Sequence, residues 1–255
     1  MKKYIRILIM ILGLSALLTA CSTNEEQKED ILPKESGSEH ISQETEGSQF
    51  KEKKILIAYF TRLDNTEGEL DAIIQGGGPY GKIGDSLEDA DMDAISSASI
   101  TVIDGDIRGN TQAVAEMIQE ITGGDLFSIS TEASYPVDYD ALIDAGGEEK
   151  NENARPQLKT HVENMQDYDL VFLGFPNWWY DMPMPVYSFL EEYDFSGKTI
   201  IPFATSAGSG FSDTVSSIRN VLPDSDITDN GLHIQMDDVA DGKPVVEEWL
   251  RKIGF

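Results

Sequence analysis

Residues 168–183 read YDLVFLGFPNWWYDMP. After Asp169 the first half is an unbroken apolar run, YDLVFLGF. Such a run lacks the alternation of a half-exposed strand and fits one buried on both faces, as in a parallel sheet covered by helices. The run stops at Pro176-Asn177. The chain then places Trp178, Trp179 and Tyr180 in a loop closed by Asp181 and Pro183. Large aromatics in a loop leave three readings open: core packing that continues past the strand, an aromatic patch for a partner, or a platform for a flat ligand.

On both sides of this stretch the same alternation recurs. KKILIAYF (53–60), DLFSIS (125–130), YDLVFLGF (168–175), KTIIPFAT (198–205) and the weaker DITDNGLHIQ (226–235) read as five strands. NTQAVAEMIQEITGG (110–124) sets Ala113, Val114, Met117, Ile118 and Ile121 on one helical face and ends in a Gly-Gly stop. MPVYSFLEEY (184–193), FSDTVSSIRNVL (211–222) and KPVVEEWLRKIGF (243–255) read as helices, with Trp249 in the core. Residues 139–165 are helical in part, interrupted at Arg155-Pro156. Strand and helix in alternation predict an α/β fold with a five-stranded parallel sheet, doubly wound, helices on both faces. Residues 64–107 break the rhythm as an insertion between the first strand and the first helix. They carry eleven acids against Lys82 alone, and so long a connection is a mark of function or mobility. Its DADMD string lacks the Gly and terminal Glu of a calcium loop, and we expect no metal there.

Ahead of the domain, MKKYIR is basic and Ile7–Ala20 apolar, so residues 1–20 read as an export signal. Leu18-Thr19-Ala20-Cys21 resembles the lipobox of bacterial lipoproteins, which implies lipidation of Cys21 and attachment to the membrane on its extracytoplasmic side. Cys21 is the only cysteine, so a lipidated chain has no thiol left for disulfides, metal or nucleophilic catalysis. Residues 21–52 are rich in Ser, Glu, Gln and Lys and read as a disordered tether, leaving 53–255 as one domain. The formal charge of −27 becomes −30 without residues 1–20, which hold Lys2, Lys3 and Arg6 and no acid. Such a field repels nucleic acid, and it suits either steering of a basic protein partner or simple solubility at a cell surface.

In an open parallel sheet, ligands bind beyond the carboxyl ends of the strands. Thr61-Arg62 and then Gly109-Asn110-Thr111 come after the first strand, the double-Trp loop after the third, and TSAGSGF (205–211) after the fourth. Together they offer hydroxyls and amides at a helix N-terminus, an aromatic platform and a Gly/Ser wall. A phosphate needs the first, a flat ring the second, and a closely approached ring edge the third. FMN meets all three. No Ser-His-Asp or paired-carboxylate arrangement stands out, and His161 and His233 read as unpaired, so no catalytic residue is assigned.

These loops, and most specifically GFPNWWYDMPMPVYSFLE, resemble the FMN loops of flavodoxins across nearly all of 53–255. The resemblance implies that Thr61, Arg62, Asn110 and Thr111 hold the phosphate. Pro176, Asn177, Trp178 and Trp179 would flank the isoalloxazine. Ser206, Ala207, Gly208 and Gly210 would close over its pyrimidine side. Asn65-Thr66 has the same Asn-Thr spacing as Asn110-Thr111. The latter is favoured, because a good helix comes after it and Asp64 would set a carboxylate against a phosphate. Many flavodoxins carry Gly after the loop Trp, where a peptide flips toward the half-reduced flavin. Tyr180 stands there in this chain and is expected to resist positive φ. Three functions are open: electron transfer with a redox protein, an FMN-dependent NAD(P)H or quinone-type oxidoreductase with a small-molecule acceptor, or a surface module that no longer binds FMN.

Overall fold

The apolar runs become strands buried on both faces. In the computed structural model, which describes residues 50, 52–66, 100–136 and 139–255, β1 spans Ile55–Tyr59 and is buried throughout. The export signal, Cys21, nearly all of the tether and residues 67–99, with the DADMD string, lie outside the described residues. β2 (Ile100–Ile103) and β3 (Asp106–Gly109) pair antiparallel as a hairpin that leads into α1 (Asn110–Thr122). This hairpin, which begins within the 64–107 insertion and runs to Gly109, escaped the sequence reading because its strands are short and flanked by acids. Next come β4 (Asp125–Ser128), α2 (Tyr139–Asn151), β5 (Leu170–Pro176), α3 (Met184–Glu192), β6 (Thr199–Ser206) and α4 (Thr214–Val221). β7 (Asp226–Ile227), β8 (Leu232–Gln235) and α5 (Lys243–Ile253) complete the chain.

The main sheet runs β4-β1-β5-β6-β7, with β8 also on β6, and its pairings are parallel. This is the five-position doubly wound sheet that the sequence predicts. Its fifth position is shared by two short strands, because Thr228–Gly231 interrupts the pairing. Alternate residues of each strand feed two cores. Leu56, Ala58, Val171, Leu173 and Ala204 pack beneath α2, α3 and α4, with Leu142, Phe189 and Ile218. Ile57, Phe172, Ile201 and Phe203 pack beneath α1 and α5, with Val114, Ile118 and Leu250. Trp249 is buried there as expected and donates Nε1–H to the Asn230 carbonyl at 2.8 Å. Ile121, assigned to the same apolar face, is instead 39% exposed, on the last turn of α1. Phe50, placed in the tether by composition, stacks on Phe255 at 4.6 Å and 19°, so the folded part begins earlier than Lys53.

Gly174 in β5 shows how tight the sheet is. A Cβ there would overlap the ring of Phe203 on β6. We expect Gly174→Ala to cost about 2 kcal/mol in urea unfolding by overpacking. Adding Phe203→Leu should recover part of that loss, because the two sites share one space.

Candidate functional site

The strand order reverses at β1. From β1 the chain moves to β4 on one side and then crosses to β5 on the other, so the loops after β1 and β5 diverge and leave a crevice. The residues singled out in the sequence gather at this crevice. Thr61 and Arg62 leave β1 and are each 2% exposed, and Asn110 and Thr111, which open α1, are also buried. Gly109 is required where it stands, since a Cβ would collide with Thr61 Oγ1. Thr111 Oγ1 lies 3.0 Å from Thr205 Oγ1 at the end of β6. The Gln112 side chain accepts from the Gly109 N–H at 3.1 Å, and Gly109 itself has no side chain to cap the helix. The first turn of α1 holds no acid. The Arg62 guanidinium donates to the Pro136 carbonyl at 3.2 Å. Thr61 against Gly109 and the Thr111–Thr205 pair therefore stand at the N-terminus of α1, a donor set suited to an anion, and the buried Arg62 comes next to Thr61 in the chain.

The competing pair has other work. Asn65 Nδ2 donates to the Thr61 and Ile129 carbonyls, at 2.9 and 3.0 Å. Its Oδ1 accepts from the Thr131 N–H and hydroxyl, at 2.8 and 3.1 Å. That uses the full capacity of a carboxamide. Thr66 Oγ1 donates to the Arg62 carbonyl at 2.8 Å. Asn65 is thus a pin that fixes the turn after β1 against the segment after β4. Asp64 accepts from the Ser128 hydroxyl at 2.6 Å.

The double-Trp loop is a two-residue hairpin. Trp178 and Asp181 exchange both backbone hydrogen bonds at 2.9 Å, and the central residues Trp179 and Tyr180 have φ of 53° and 63°. This is the left-handed pair that Asn-Gly usually supplies. The expectation that Tyr180 resists positive φ is therefore overturned. Tertiary contacts hold the strain. Lys150 Nζ donates to the Trp179 carbonyl at 2.6 Å and lies 3.8 Å from the Asp181 carboxylate. Trp179 Nε1 donates to the Ile143 carbonyl at 3.1 Å. Asp181 Oδ1 accepts from the Met182 N–H at 2.8 Å and the Tyr187 hydroxyl at 2.9 Å. Gly146 and Gly147 make room for the indoles on α2, since a Cβ on Gly147 would stand 3.2 Å from the Trp179 ring.

The two tryptophans differ. Trp178 is edge-on to Phe60 at 5.5 Å and to Tyr135 at 5.3 Å, and extends the core. Its Nε1 is buried with no hydrogen-bond partner among the described residues. Trp179 is 49% and Tyr180 68% exposed. The Tyr135 hydroxyl bonds Glu149 at 2.7 Å, which ties α2 to the ring behind Trp178. Sequence reading missed Gly146, Gly147, Lys150 and Asp181. The adjacent glycines inside a helical stretch were the available signal.

The third loop is stitched to the second. Pro176 ends β5 in register with Thr205, and the Asn177 N–H donates to the Thr205 carbonyl at 2.9 Å. The buried Asn177 carboxamide donates to the Gly210 carbonyl at 2.9 Å and the Ser212 hydroxyl at 3.0 Å, acting as a strut. Ser206 Oγ accepts from the N–H groups of Gly208 and Gly210 and lies 2.8 Å from His233 Nε2. Ala207, half-buried, lies between these anchors. His233 is thus paired, contrary to expectation, and so is His161, whose Nδ1 is 2.7 Å from Glu192. Both partners are distant in sequence and only the fold brings them close.

Asn65→Ala should lower unfolding stability by about 3 kcal/mol, since it strands several buried partners at once. Chemical denaturation measures this, and an exposed control such as Asn220→Ala should change little.

A sequence-family profile described as flavodoxin matches residues 100–253, more than half of the chain. A flavodoxin 1 of Shigella flexneri is 26% identical over 145 residues, covering 51% of this chain and 68% of that protein. Two solved structures share the fold, both of provisionally designated flavoproteins. That of Bacteroides eggerthii is 24% identical with a TM-score of 0.54, covering 80% of this chain and 99% of that one. That of Bacteroides uniformis is 22% identical with a TM-score of 0.53, covering 78% and 98%. With the sheet order, the crevice and the profile in agreement, the chain belongs to the flavodoxin family.

Proposed function

We propose that the chain is an FMN-binding electron-transfer flavodoxin, held on the extracytoplasmic side of the membrane through a lipidated Cys21. The observation that carries the cofactor assignment is the meeting, at the β1/β5 crevice, of an anion-suited donor set with a half-exposed indole. Sheets of this order bind FMN at that switch point. The residues present fit the group. Thr61, Arg62, Asn110 and Thr111 would hold the phosphate. Pro176, Asn177, Trp178 and Trp179 would line the ring, with the half-exposed Trp179 offering the open aromatic face. Ser206, Ala207, Gly208 and Gly210 would form the wall at its edge. FMN would supply the electron chemistry, and the chain binds, orients and tunes it. A formal charge of −30 without residues 1–20 disfavours added negative charge on a ring and suits a basic redox partner.

The membrane attachment rests on residues 1–20 and the Leu18–Cys21 motif. Cys21→Ser should move the protein from the membrane fraction to the soluble fraction on cell fractionation. A second reading, an oxidoreductase with a small flat acceptor, is favoured by the exposure of Trp179 and Tyr180, which leaves aromatic surface for such a molecule. NADH oxidation on adding a quinone separates it from electron transfer with a protein.

The direct test mixes purified protein with excess FMN, desalts it and records the visible spectrum. A retained band near ~450 nm supports the cofactor site. A colourless, folded protein would reject it and leave a surface module. Trp179→Ala should weaken FMN binding at least about tenfold while costing clearly less stability than Trp178→Ala, because its ring is half exposed. Trp178→Ala should cost about 3 kcal/mol or more, because it empties core space. Equal losses of binding and stability in Trp179→Ala would sink the platform role.

A further inference from the structure

The loop after β6 is organised around one oxygen. Ser206 Oγ accepts the Gly208 N–H at 3.2 Å and the Gly210 N–H at 3.0 Å, and stands 2.8 Å from His233 Nε2 on β8. A hydroxyl has one proton and two lone pairs. The two amides engage both lone pairs, so the hydroxyl proton must go to Nε2. His233 is then the neutral imidazole with its proton on Nδ1. Gly208 and Gly210 have φ of 135° and 61°, conformations open to glycine but strained for other residues, so the loop depends on these bonds for its shape.

We propose that His233 is the positioning residue of the 206–210 loop, and that its protonation releases the latch. An imidazolium would present a third donor to an oxygen with no lone pair left. It would also strand the proton of Ser206, which is 1% exposed. At least one glycine amide must then let go. Among the described residues, Ser206 Oγ is the hydrogen-bond partner of the ring. Ala204 faces it in register on β6 and Phe211 lies edge-on at 6.5 Å, and neither carries a charge. Arg219 of α4 and Asp229 of the segment before β8 are paired with each other at 2.6 Å. Burial holds the imidazole below its ordinary basicity. The latch is therefore intact above the ordinary His value of about 6.5 and is lost as pH falls through the lower folded value. The effect on flavin rests on the proposed FMN site, since this loop would close over the ring. The latch itself does not.

The first test is therefore made without flavin. The Gly208 and Gly210 amides and the His233 ring are tracked by NMR from about pH 8 to about pH 5. Both amides should shift with the midpoint of His233 and lose about tenfold or more of their exchange protection, the worth of one net hydrogen bond. His233→Gln, whose side-chain oxygen accepts without titrating, should abolish the acid response. His233→Phe, which removes the acceptor, should expose the amides already at neutral pH. Amides that ignore the His233 midpoint, or a His233→Gln variant that keeps the acid response, would overturn the proposal. With FMN, affinity should fall about tenfold on acidification in the parent and stay flat in His233→Gln. Protein that binds no FMN at any pH rejects the cofactor reading, and the amide titration still decides the latch.

Discussion

The site exists because β1 and β5 must lie side by side. Both are apolar on both faces, and only the centre of a doubly covered sheet buries them fully. Their parallel pairing, Ile55 opposite Leu170 through Tyr59 opposite Gly174, brings two carboxyl ends to one place. The chain beyond each strand can then only be loop, and the reversal of strand order opens the crevice between the loops. The polar residues there are not left loose. Asn65, Asn177 and the Thr111–Thr205 hydroxyl pair join the loops to each other, and their buried donors and acceptors are matched almost completely. A network of this kind favours one arrangement, because any other would strand buried polar groups.

Against that order stands the Trp179-Tyr180 turn. Two bulky side chains in left-handed backbone cost about 1–2 kcal/mol each. The structure offsets the cost with Lys150, Ile143 and Asp181, and with a helix that carries two glycines where the indoles lie. The hairpin is therefore specified from outside itself.

That is also why the sequence disclosed it poorly. The strands were legible because long apolar runs admit one environment. The residues at the strand ends were legible because a parallel sheet places its crevice by rule. The β2–β3 hairpin and the break between β7 and β8 were hidden, since short strands flanked by acids and Asn look like loop. Tyr180 was misjudged from its intrinsic backbone preference, which tertiary contacts override. Lys150 meets Trp179 across 29 residues and His233 meets Ser206 across 27, distances at which a single sequence carries no pairing signal.

Gly146 and Gly147 have a kinetic side. Each weakens α2 by about 1 kcal/mol relative to alanine, so this helix starts with poor intrinsic stability. Its contacts with Trp178, Trp179 and Asp181 supply what its own sequence lacks. Helix and hairpin should then open and close as one cooperative unit, at a free energy below that of global unfolding. The opening of the crevice is then tied to a helix that few would count as part of it.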